Sequence, residues 1–172
     1  MKQLKLFLIL FCFFILQETV FGIFTPQWFG YNFEAIPHLV LIGTCFVGLF
    51  LSRSLGLQYA VLFGFLLDMT SSNILGVYAF CLGITTYLLS LLARFIHLNL
   101  IVVLMLMLVA VTMVEIEVYG IYSLLHKVNL SFQTSLIWRL PPTLILNGCF
   151  TILLFYPFRR FLLQLVPDQP EE

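Results

Sequence analysis

Long uninterrupted apolar runs, separated by short polar breaks, dominate this chain. A helix needs about 20 apolar residues to cross a hydrocarbon core of about 30 Å. The runs at 4–24, 36–52, 55–68, 75–94, 97–120 and 136–158 therefore predict an all-α membrane protein, a bundle of six transmembrane helices in one domain. The runs are continuous in Leu, Ile, Val and Phe rather than alternating, which argues against a β-barrel. The third is short and ends at Asp68, and the second opens with Pro37, a residue tolerated in a first helical turn.

The breaks have local causes. Thr25-Pro26-Gln27-Trp28-Phe29-Gly30-Tyr31-Asn32 is turn-forming and carries three aromatics. Thr70-Ser71-Ser72-Asn73 offers side-chain oxygens to cap the following helix. Residues 166–172 form a polar tail with no core to join. The first run could serve as a signal peptide with Val20-Phe21-Gly22 at its cleavage site, but it continues through Phe24 and further spans follow, which favours an uncleaved first helix.

Composition sharpens this picture. Of the 172 residues, 62% are hydrophobic and 9% charged, against about 25% charged in soluble domains. The lipid bilayer has to cover most of that apolar surface, because a chain this short cannot fold it inside. A net charge of zero provides no field for nucleic acid. The four cysteines sit in separate runs without a Cys-x-x-Cys pair and are read as small buried hydrophobes.

Charge also sets an orientation. With six spans, Lys2, Lys5, Arg53, Arg94, Arg159 and Arg160 share one side and only Lys127 and Arg139 the other. The positive-inside rule then places both termini in the cytoplasm. Trp28, Phe29, Tyr31, Tyr78, Tyr119, Tyr122 and Trp138 fall near the outer ends of spans, where such rings prefer the headgroup layer.

Chemistry-bearing residues are few. Gly56, Ala60 and Gly64 recur every four residues on one face of the third span, which allows close approach of another helix, either within the bundle or from a partner. Ionisable groups at membrane depth are functional candidates because charge is costly there. Asp68, Glu115 and Arg139 are expected on the same side and form a candidate polar cluster; Glu18 and Glu117 are read as snorkelling to the interface. Glu115 and Glu117, two residues apart, face different ways. His38, His97 and His126 lie near separate span ends, so no metal site is expected. No nucleophilic elbow, metalloprotease motif or phosphate-cradling loop is present, and neither an enzymatic activity nor a cofactor is expected.

Two segments carry a family resemblance. One runs from Gly64-Phe65-Leu66-Leu67-Asp68 through Thr70-Ser71-Ser72-Asn73 to Leu75-Gly76-Val77-Tyr78-Ala79. The other is Arg139-Leu140-Pro141-Pro142-Thr143 with Asn147, closing on Tyr156-Pro157-Phe158-Arg159-Arg160. Together they resemble the MreD family of bacterial rod-shape-determining inner-membrane proteins, with Gly64, Asp68, Gly76, Pro142 and Asn147 as the matching motif residues. Two positions depart from that pattern: Pro37-His38 stands where the family often has Pro-Asp or Pro-Asn, and Ser71-Ser72 where it has Ser-Gly.

The resemblance implies a non-enzymatic scaffold of the cell-elongation complex in the bacterial inner membrane, supporting lateral peptidoglycan synthesis. It implies an MreC-like single-span partner, and through it the MreB filament and a peptidoglycan polymerase/transpeptidase pair. It also implies a fold shared with the substrate-binding component of energy-coupling transporters. The alternative is therefore a substrate-binding subunit of a small-molecule (vitamin) transporter, with the outer polar groups lining its pocket.

Overall fold

A computed structural model of the chain describes residues 2–20, 35–71, 74–125 and 132–165, and every regular element among them is helical. Helix α1 (Lys2–Ile15) continues into a π-helical turn, Leu16–Val20. It is followed by α2 (Leu39–Phe50), α3 (Arg53–Ser71) and α4 (Val77–Leu92), which ends in a 3₁₀ turn at Ala93–Phe95. The last two are α5 (Leu100–Leu124) and α6 (Phe132–Leu165).

Among the described residues, three helical stretches are long and apolar enough to cross a bilayer, Val77–Phe95, Leu100–Leu124 and Arg139–Leu165. The second predicted span is much shorter than 36–52: α2 has 12 residues, a rise of about 18 Å. Pro37 precedes it rather than sitting in its first turn. Helix α5 starts at Leu100 instead of 97, because the Asn99 side chain accepts the Val102 N–H at 2.8 Å and fixes the N-terminus there. Helix α6 begins before the predicted 136, so Pro141 and Pro142 lie inside it, where each removes one intrahelical hydrogen bond. The expected features at 21–34, 72–73, 126–131 and 166–172 lie outside the described residues.

Helix α2 is the axis of the bundle. It is apolar on all sides, and Leu39 through Val47 are all buried, as expected of a helix with protein rather than lipid around it. It contacts each of the other five helices. Its largest side chain, Phe46, is fully buried and meets Phe155 and Phe158 of α6 at ring-centroid distances of 6.4 and 5.8 Å. Cys45 and Cys81 are buried, whereas Cys12 and Cys149 are exposed; the uniform reading of all four as buried hydrophobes is corrected for that pair.

The small-residue face of α3 is turned inward. A Cβ on Gly56 would lie 2.6 Å from the Cα of Gly48 and 2.7 Å from its nitrogen, so α2 and α3 cross backbone against backbone. Ala60 is fully buried, and a Cβ on Gly64 would lie 2.6 Å from the Cα of Ala79 in α4. One face thus seats α2 at its start and α4 at its end. Helix-helix approach this close is what small residues supply when lipid removes the hydrophobic drive to associate.

Larger side chains on this face should therefore weaken the isolated protein. Gly56→Val and Ala60→Leu are expected to lower its unfolding free energy in detergent by about 2 kcal/mol each. Val61→Leu, on the exposed side of the same helix, should leave it within about 0.5 kcal/mol. Equal stability of all three would show that the crossing is not close-packed.

Candidate functional site: a polar belt at one end of the bundle

The start of α2 presents backbone donors that no preceding helical turn can satisfy. Asn147 of α6 clamps the segment before it: its Oδ1 accepts the His38 N–H at 2.7 Å, and its Nδ2 donates to the Ile36 carbonyl at 2.8 Å. A second Nδ2 proton goes to the Thr143 carbonyl at 2.8 Å. The side-chain amide therefore straddles Pro37, and its orientation is fixed by its partners, since an N–H only donates and a carbonyl only accepts. Thr143 Oγ1 accepts the Ile36 N–H at 3.2 Å, and Gln17 Oε1 accepts the Val40 N–H at 3.1 Å. Gln17 lies in the π-helical turn of α1.

The His38 side chain continues the belt. Its Nε2 lies 2.9 Å from Glu115 Oε1, and with Glu115 ionised that nitrogen carries the proton. The other carboxylate oxygen, Oε2, is 3.6 Å from Arg139 Nε, an ion pair beyond hydrogen-bond length. His38 and Glu115 are 5% and 15% exposed at their side chains, and Arg139 38%, so the pair runs from the interior towards the surface. Glu117 turns the other way, accepting from Thr85 of α4 at 3.3 Å.

Asp68 solves the same problem for α4. Its Oδ2 accepts the N–H groups of Gly76 and Ala79 at 3.0 and 3.1 Å, and its Oδ1 that of Tyr78 at 2.9 Å. A fully buried carboxylate is matched to three donors and to the positive end of a helix dipole. Gly76 has φ of +98°, the left-handed conformation that glycine adopts without strain, and this aims the turn back at Asp68. Gly64, one turn before Asp68, leaves room for the first turn of α4.

The described capping oxygens thus come from Asp68. Of the expected Thr70–Asn73 set, the Thr70 hydroxyl donates back to the Leu66 and Leu67 carbonyls, while Ser72 and Asn73 lie outside the described residues.

Of the sequence-derived cluster, Glu115 and Arg139 are brought together, and Asp68 belongs to the neighbouring cap. The Tyr78 backbone N–H belongs to the Asp68 cap. Sequence reasoning missed His38, Gln17 and Thr143. His38 left a signal as the polar residue after Pro37, where the resemblance places an Asp or Asn, and Thr143 as part of the Pro141-Pro142-Thr143 segment that carries the resemblance; Gln17 left none.

The comparisons with known proteins bear out the family resemblance. A family model described as "rod shape-determining protein MreD" matches residues 1–166. The chain belongs to the MreD family. A curated relative, the rod shape-determining protein MreD of Bacillus subtilis (strain 168), is 33% identical over 136 residues, covering 79% of each chain. No solved structure matches. In this MreD-family chain, four of the five motif residues fall on the two caps: Gly64, Asp68 and Gly76 at the start of α4, and Asn147 at the start of α2. The fifth, Pro142, lies within α6 one residue before Thr143.

Two measurements test the belt. Asn147→Leu keeps the volume but strands the His38 N–H and the Ile36 carbonyl, and should cost about 3 kcal/mol of unfolding free energy in detergent; Asn147→Asp, which sets a buried carboxylate against the Ile36 and Thr143 carbonyls, should cost at least as much. In a double-mutant cycle, Glu115→Gln and Arg139→Gln should couple by about 0.5–1 kcal/mol, modest because Arg139 is partly exposed. Strict additivity would show that the 3.6 Å pair does not act as one.

Proposed function

We propose that this chain is a non-enzymatic scaffold of the cell-elongation machinery, a six-span protein of the bacterial inner membrane with both termini in the cytoplasm. The observation that carries the reading is the family match over residues 1–166, which ties the chain to rod-shape determination. Two further features support it. The belt's buried polar groups satisfy backbone and side-chain groups of the chain itself, as in a rigid frame rather than a ligand pocket. Six of the eight basic residues, Lys2, Lys5, Arg53, Arg94, Arg159 and Arg160, fall on the side assigned to the cytoplasm, away from the belt that holds Arg139.

In this reading the scaffold holds a single-span partner of the MreC type, and through it the MreB filament and the peptidoglycan polymerase/transpeptidase pair. Because Gly56, Ala60 and Gly64 are engaged inside the bundle, the partner helix docks on an outer, lipid-facing surface.

Deletion should turn rod-shaped cells round or cause lysis, and the purified chain should retain a single-span membrane partner. Wild-type shape after clean deletion, with a tightly held small molecule in the purified protein, would overturn the scaffold and favour a transporter subunit. Reporter fusions at Gln169 and at Trp28 should report opposite sides of the membrane; the same side for both would refute the six-span map.

A further inference from the structure

The lower half of α6 carries a second arginine level that the belt does not use. No Asp, Glu, Lys, Arg or His occurs between Arg139 and Arg159, and twenty positions of helix rise about 30 Å, the thickness of the hydrocarbon core. Arg159 therefore lies one membrane thickness from the belt, at the opposite headgroup layer.

Its guanidinium packs over the rings of Phe50 and Phe155, 5.6 and 5.5 Å from their centroids. The Nε is buried with no hydrogen-bond partner, and neither Arg159 nor Arg160 is paired with a carboxylate among the described residues. An open groove of about 800 Å³ runs beside it, lined by Tyr156, Pro157, Arg159, Arg160, Leu163 and Gln164.

A guanidinium held against aromatic faces keeps its N–H fork available, and that fork matches a phosphate. Arg160 adds a second positive charge, and Gln164, one turn on, adds an amide donor. On the membrane side the same face of α6 continues as Tyr156, Leu153, Cys149 and Ile145, all exposed, with Leu153 at 71%. A phosphate site at headgroup depth that opens onto an apolar strip has the two-part chemistry of a phospholipid. An acidic protein segment would have no use for the strip.

We propose that this groove binds an anionic phospholipid of the inner leaflet, its phosphate on Arg159 and Arg160 and its acyl chains along the Tyr156–Ile145 face. The leaflet assignment rests on the topology proposed above, whereas the binding itself does not.

The test uses the full-length chain in zwitterionic micelles, with the thermal midpoint read as phosphatidylglycerol, phosphatidylcholine or inorganic phosphate is added. Phosphatidylglycerol should raise the wild-type midpoint by several degrees, since a ligand bound only by the folded state stabilises it. Arg160→Gln, at an exposed position, and Arg159→Lys, which keeps the charge but loses the fork, should each reduce that shift by at least half. Arg94→Gln, an exposed arginine outside the groove, should leave it whole. An equal shift with phosphatidylcholine, or full shifts in both groove variants, would overturn the site. An equal shift with inorganic phosphate would overturn the lipid assignment. Micelles have no sidedness, so these outcomes stand apart from any failure of the topology.

Discussion

A backbone N–H left unpaired in a bilayer costs several kcal/mol, and α2 begins where water does not satisfy its first donors. The structure depends on how that cost is met. Asn147, Thr143 and Gln17 take the N–H groups of His38, Ile36 and Val40, so the start of α2 is bonded at once to α6 and to α1. Because α2 is the element that every other helix touches, fixing its start fixes the bundle's packing. The short, wholly apolar α2 is tolerable only under this condition. The close Gly48–Gly56 crossing sets the depth of α2 towards its end, and the directional hydrogen bonds set it at its start.

The two caps show why different side chains occur at similar tasks. At α4 the partners of Asp68 among the described residues are donors, the N–H groups of Gly76, Tyr78 and Ala79 at a helix N-terminus, and an acceptor-only carboxylate suits that arrangement. At α2 a donor and a carbonyl flank Pro37 together, and a carboxylate there would face the Ile36 oxygen with like polarity. An amide offers both. The charged residue therefore sits where the helix dipole is positive and the neutral one where both polarities are present.

Much of this was legible in the chain, and the illegible part has a physical pattern. Helix class and the approximate helix centres follow from the apolar runs, because lipid imposes a length and an intrahelical hydrogen-bonding rule on each. Asp68, Glu115 and Arg139 stood out because charge is rare in such runs. The Gly56–Ala60–Gly64 spacing showed a close-packing face but not its occupant, since internal and external helices ask for the same small residues. His38, Gln17 and Thr143 were hidden for a different reason. Each acts on a residue 23 to 107 positions away, and a polar side chain that satisfies a distant backbone group has no periodicity of its own. The helix boundaries failed in the same way: α2 is shorter than its apolar run, because apolarity marks burial in lipid and burial in protein alike.

That same ambiguity bears on how a protein of this kind can hold others. In the scaffold proposed above, with the small-residue face of α3 occupied by α2 and α4, a partner helix would meet the bundle on surfaces made of Leu, Ile, Val and Phe, where association relies on packing alone. Packing discriminates only if the surface keeps its shape, and shape here is inherited from α2. A rigid axis fixed by directional bonds converts an otherwise featureless apolar exterior into a defined template. In that proposal the belt would contribute to partner recognition without touching the partner, and loss of one amide at Asn147 would reach the exterior through the hub it positions.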